Sequence, residues 1–281
     1  MPKTLFMIAL MATGACCLVS PLVPHAKAQD QGGTGEIIAR APQTNIIKRQ
    51  PWLPSPRIRG GGGGPRNGTT AGGGATPLMQ AAGSGNLAGV EQQLARGSDV
   101  NAKSGAGSTA LSLASEDGNL EIVKLLLERK ADANIKFSDG RTPLIFAALG
   151  GHAEVVKKLI EAGANVEAKY QDGRTALIFA AATGSELVVQ ALLNAGAEAN
   201  ARPADGWTAL MWASWGGHVG VMQQLLDVKA DVEAKDNNGE TSLMKAASQG
   251  HAQAVQALLA SNADPNAQGA KGGTALNLRV E

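Results

Sequence analysis

From residue 76 onward, apolar positions fall into paired short helices. Val156, Leu159 and Ile160 recur at the spacing that places them on one helical face, and Val189, Leu192 and Leu193 repeat the pattern. Each of these helices follows a shorter apolar stretch whose alanine pairs, Ala147-Ala148 and Ala180-Ala181, let it approach its neighbours closely. A threonine opens every short stretch, at 76, 109, 142, 175, 208, 241 and 274, with an unbroken spacing of 33. A hydroxyl there predicts an N-cap, and Pro77 and Pro143 occupy the first helical position, where a missing N–H costs nothing. Leu stands two residues after each Thr (78, 111, 144, 177, 210, 243 and 276), and Gly stands nine after the first six (85, 118, 151, 184, 217 and 250). That Gly predicts the end of the short helix. Gly97, Gly163 and Gly196 predict the left-handed end of the longer one.

Between units, Asp139-Gly140, Asp172-Gly173, Asp205-Gly206 and Asn238-Gly239 supply tight turns. A helix, a turn and a second helix at this period, carried by segments such as DGRTPLIFAALGGHAEVVKKLIEAGANVEAK, resemble ankyrin repeats. The resemblance covers six full units and the start of a seventh, residues 76–281. It implies an all-α solenoid of helix-turn-helix units with β-turn or hairpin tips, in which each unit is stabilised by its neighbours. This chain departs from the family pattern in two ways. Lys130, Lys229 and Asn262 stand where the second helix should end on Gly, and a left-handed Lys costs about 1 kcal/mol. The family's His after Thr-Pro-Leu is absent, replaced by Met79, Ser112, Ile145, Ile178, Met211 and Met244, which predicts weaker bonding around the Thr.

The first 75 residues belong to another pattern. Lys3, an apolar run over 5–19 and the small-x-small triplet Ala26-Lys27-Ala28 predict a secretory signal peptide over 1–28, cut after Ala28. The run is shorter than the ~20 residues of a membrane-spanning helix, so no integral span is expected after cleavage. Residues 29–75 contain 12 Gly and 5 Pro, which predicts a disordered linker. The expected setting is the periplasm or the cell exterior.

Composition then narrows the chemistry. The only two cysteines, Cys16 and Cys17, lie in the leader, so the mature chain has no thiol for catalysis, disulfides or zinc. Net charge is +1, which recommends no nucleic-acid partner. Residues 29–75 carry six basic and two acidic residues, net +4, whereas 76–281 carry 17 basic and 22 acidic, net −5. The basic arm is a solubilising spacer or, alternatively, a weak contact to an anionic envelope surface. His152, His218 and His251 share the column after the ninth-step Gly, which the resemblance explains as ties between adjacent loops. Columns advance ~8–10 Å per unit, too far for two of them to share one zinc. No catalytic residue, metal ligand or cofactor is assigned, and the expected function is a non-catalytic protein-binding scaffold. The alternative is a structural envelope component tethered by its arm.

In ankyrin-type arrays the partner meets the concave face, made of turn tips and the outward side of the first helix. By register, this selects Phe137, Arg141, Leu149, Tyr170, Arg174, Trp207, Trp215 and Glu240 as partner-binding residues. Seven of the nine aromatic residues lie between 137 and 215, and Trp and Arg are enriched at binding hot spots. Phe146, Phe179 and Trp212 share a core column and are expected to stack between units.

Overall fold

The computed structural model describes residues 74–277. The expected leader and almost all of the expected linker lie outside the described residues. Within them, twelve helices and no strands are found. The first helices of the six units are α1 (Pro77–Gly83), α3 (Ala110–Glu116), α5 (Pro143–Leu149), α7 (Ala176–Thr183), α9 (Ala209–Gly216) and α11 (Ser242–Ser248). The second helices are α2 (Leu87–Ala95), α4 (Leu120–Glu128), α6 (Ala153–Glu161), α8 (Glu186–Asn194), α10 (Val219–Asp227) and α12 (Ala252–Ala260). Each first helix packs on its own second helix and on the first helices of the units beside it, while the second helices form a parallel layer.

Local chemistry sets these boundaries. The Thr hydroxyl accepts the backbone N–H three residues on at Thr76, Thr109, Thr142, Thr208 and Thr241, while Thr175 makes no such bond. Where an apolar residue has replaced the family His, the bond is 3.2 Å at Met79, 3.3 Å at Met211, 3.4 Å at Ile145 and 3.5 Å at Met244. It shortens to 3.1 Å at Ser112, whose own hydroxyl accepts the Thr109 N–H at 2.9 Å to complete a capping box. The second helices end in the left-handed region at Lys130, Lys229 and Asn262, as they do at Gly97, Gly163 and Gly196.

The ninth-step Gly has two reasons to be there. Gly118 has φ +73°, and a Cβ on it would come within 2.5 Å of the His152 ring. That ring belongs to the next unit, and its Nε2–H donates to the Glu116 carbonyl at 3.0 Å. His218 makes the same bond to Ala182 at 3.3 Å, and His251 to Trp215 at 3.0 Å. The histidines are thus staples between consecutive units. In the fourth unit Ser185 stands in their place and bonds Thr183 of its own unit instead.

Two further ladders join the units. At the tips, backbone N–H groups of Ser138, Gln171, Ala204, Asn237 and Ala270 donate to carbonyls one unit back, those of Ala106, Asp139, Asp172, Asp205 and Asn238. Beyond the second helices, Asn101, Asn134, Glu167, Asn200 and Glu233 accept the N–H groups of Asp132, Asn165, Glu198, Asp231 and Asp264. The tip ladder uses backbone groups alone, whereas the second ladder depends on an Asn or Glu side-chain oxygen in each unit. The Leu column is at most 2% exposed from Leu78 to Leu243, whereas Leu276 is 91% exposed, with no helix among the described residues following it.

Candidate partner-binding face

The eight residues selected by register divide by depth. Phe137, Arg141 and Arg174 are buried, whereas Leu149, Tyr170, Trp207, Trp215 and Glu240 are half-buried and present surface. The first three are held by an arrangement that occurs twice. Asp139 accepts the Arg141 backbone N–H through Oδ1 and the Arg141 Nε–H through Oδ2, the latter at 2.7 Å. The guanidinium then lies 5.6 Å from the Phe137 ring centroid and 4.6 Å from that of Phe146. One unit on, Arg174 Nε–H donates to Asp172 at 2.7 Å, with Tyr170 at 5.8 Å and Phe179 at 5.1 Å. A planar, weakly hydrated cation suits this position, since stacking and the forked pairing satisfy it together. These arginines act as internal spacers that hold the tip against the first helix.

Ring contacts follow the unit rather than the column. Phe137 meets Phe146 at 4.7 Å, Tyr170 meets Phe179 at 5.9 Å, and Trp207 meets Trp212 at 4.3 Å. The expected stacking of Phe146, Phe179 and Trp212 on one another is replaced by these pairings across each turn. Helix layers ~8–10 Å apart exceed the 4.5–7 Å at which rings pair favourably. A cation bridges the wider gap, with the Arg174 guanidinium 6.0 Å from the Trp212 centroid.

The fifth and sixth units solve the same packing problem differently. Trp207 occupies the arginine column, and Trp215 stands edge-on to Trp212 at 6.2 Å. In the sixth unit the two ring columns hold Asp236 and Lys245, and the arginine column holds Glu240. Lys245 Nζ lies 2.6 Å from Asp236 Oδ2, also pairs with Glu240, and sits 4.0 Å over the Trp207 ring. Asp236 Oδ1 accepts the backbone N–H groups of Asn238 and Glu240. The sequence marked Glu240 as a partner-binding residue but gave no role to Asp236 or Lys245, although their signal was present: a Lys and an Asp stand in columns that are aromatic in the third and fourth units.

Leu149, Ala182 and Trp215, all half-buried, share one column on the first helices and form a partly exposed apolar row crossing three units. The His staples fix the carbonyls of that same column at Glu116, Ala182 and Trp215. Burial holds the His218 imidazole below its ordinary value of 6.5, opposed by its bond to Ala182 and reinforced by His251. No group of three or more His, Cys, Asp or Glu able to hold a metal ion is found among the described residues, and none of their helices is long and apolar enough to cross a membrane.

Profiles of the ankyrin repeat match the chain over 78–170 and 164–236 for the three-copy form, and over 225–278 for the many-copy form. The chain belongs to the ankyrin-repeat family. The crystal structure of the human ASB11 ankyrin repeat domain is similar to it, with a TM-score of 0.68 and 27% identity over 72% of this chain and 91% of that one. No curated protein matches the chain significantly. Ankyrin repeats are generally protein–protein interaction scaffolds and are typically non-enzymatic.

Proposed function

We propose that the chain is a non-catalytic adaptor that binds another protein on the concave face of its repeats. The observation that carries this reading is the half-buried row of Leu149 and Trp215 with Tyr170 and Trp207 at the tips, each presenting part of its side chain at the surface. Large, stiff aromatic side chains give contact area with little loss of rotamer freedom, and Trp is enriched at hot spots. Arg141, Arg174 and Phe137 support the site from beneath, and Glu240 borders it. The leader-like residues 1–28 support export, so the adaptor acts in the periplasm or outside the cell. The test is affinity capture by the mature chain from its native envelope. Trp207→Ala with Trp215→Ala should leave the far-ultraviolet circular dichroism intact and abolish recovery of the partner; unchanged recovery excludes the patch.

The net charge of +4 over residues 29–75 favours a second reading, a structural component tethered to an anionic envelope surface. Deleting residues 29–73 should then release the protein from the envelope without affecting partner capture. Retention at the envelope would retire the tether.

A further inference from the structure

Between each second helix and the tip that follows runs a short non-helical segment. After α4 its residues alternate, with Ala133, Ile135 and Phe137 buried and Asn134, Lys136 and Ser138 exposed. The middle exposed position is cationic in five consecutive segments, at Lys103, Lys136, Lys169, Arg202 and Lys235, before Gln268 ends the column. All five cations are exposed. They are a segregation of charge, because residues 76–281 as a whole are net acidic.

The helical lysines are neutralised and this column is not. Lys124, Lys157 and Lys158 each lie 2.6–2.8 Å from a glutamate three residues away on their own helix. Among the described residues, none of the five column cations forms an ion pair. Arg202 donates instead to the Lys235 carbonyl, and Lys235 Nζ donates to the Gln268 carbonyl at 3.1 Å, so both side chains lie along the column with their charge intact. The carboxylates nearest in sequence serve the loops. Asp99, Asp132 and Asp231, four residues before a column cation, each accept the backbone N–H two residues on, and Glu198 shares their position without pairing with Arg202. Glu167 and Glu233 accept N–H groups of the next unit, and Asp236 is paired with Lys245. Towards the tips, the exposed Ser138, Ala204 and Asn237 and their counterpart Gln171 bring no carboxylate.

We propose that this column docks an acidic segment of the protein partner, extended as a polyproline II helix with Asp or Glu at every third residue. Columns advance ~8–10 Å per unit. A polyproline II helix turns once in three residues and rises about 9 Å in doing so, which puts every third side chain on one side at the spacing of the units. Same-face residues of a β-strand recur every ~7 Å, and a nucleic-acid strand carries a charge every ~3.4 Å of its axis, so neither keeps this register. Five cations cover four steps, roughly 32–40 Å, the length of about 13 residues in that conformation. This inference rests on the adaptor reading and gives the partner a second contact, electrostatic where the Leu149–Trp215 row is apolar.

The experiment titrates the full mature chain against a dye-labelled peptide of five Pro-Pro-Glu triplets, read by fluorescence anisotropy at low salt. A second peptide has the same composition with its glutamates contiguous between proline blocks. The spaced peptide should bind at least about fivefold more tightly, since each exposed pair that finds its register contributes up to about fivefold. Lys103→Gln, Lys136→Gln and Lys169→Gln together remove three cations that make no bond within the fold, and should weaken the spaced peptide by about three- to hundredfold. Lys124→Gln with Lys157→Gln and Lys158→Gln changes the net charge equally and should leave its affinity within about twofold, because those lysines already have partners. The basic arm is present in every variant, so the differences report the column. Equal affinity for the two peptides, equal loss in the two triple variants, or tighter binding of inorganic polyphosphate than of the spaced peptide overturns the inference. A partner captured by the column variant but lost by the double Trp→Ala variant also overturns it, while leaving the adaptor reading intact.

Discussion

Lys245 is the most informative single position for the energetics of the array. It is 5% exposed, its partner Asp236 has a side chain with no exposure at all, and the two are 2.6 Å apart. Lys245→Met fills much of the same volume but removes the positive charge. The Asp236 Oδ1 still accepts two backbone N–H groups, whereas its Oδ2 faces no donor. Breaking a buried pair from one side costs about 3–5 kcal/mol, since the remaining charge stays desolvated. Glu240 is one-third exposed and can turn to water, so its share is small, and a loss of about 3 kcal/mol is expected. Asp236→Asn in the same chain keeps the backbone acceptor and discards the stranded charge, so the double variant should recover all but about 1 kcal/mol. The assay is urea unfolding followed by circular dichroism, with hydrogen exchange of the fifth and sixth units to localise the loss, since repeat arrays unfold in parts. If Lys245→Met lies within 0.5 kcal/mol of wild type by about the resolution of such series, or if the double variant is no better than the single, the buried pair does not hold the sixth unit in place.

Three smaller predictions address the staples and caps. Burial holds the folded-state value of His218 below its unfolded value, so its contribution is present above pH 6.5 and is lost as pH falls below it. Unfolding midpoints should drop between pH 7.5 and 5.5, and His218→Gln should flatten that slope; an unaltered slope assigns the effect elsewhere. Ser185→His with Thr183→Gln rebuilds the sequence around His251 at the junction of the third and fourth units, where no His stands, offers a donor to the Leu149 carbonyl, and should add about 1 kcal/mol in chemical denaturation. Lys229→Gly relieves a left-handed Lys at φ +62° and should raise stability by about 0.5–1 kcal/mol, visible as a shift in midpoint without a change in slope.

Much of the architecture was legible because its causes are local. A Thr hydroxyl reaches only three residues forward, a left-handed turn needs only its own residue to tolerate positive φ, and a helical face repeats within one or two turns. The period of 33, the twelve helices in six pairs and the ends of each therefore follow from short-range chemistry repeated down the chain. Lys130, Lys229 and Asn262 mark the limit of that local determination: the backbone turns left-handed there without glycine, a path that a lysine by itself disfavours.

The face was legible only as a set of columns. Register placed Arg141, Arg174, Trp207 and Glu240 together, but burial separated them, drawing the arginines under their own rings and leaving Trp207 at the surface. That choice depends on contacts across each turn and on residues a full unit away, such as Arg174 with Trp212 and Lys245 with Trp207. The missing staple at Ser185 is likewise a difference between neighbouring units, invisible to a pattern that treats all units alike. Sequence by itself settled which segments become helices and how often they recur, because caps, turns and periodicity act over a few residues. Tertiary structure alone decided which charged groups are satisfied inside and which face outward, because desolvation and pairing are set by whatever the stack brings alongside.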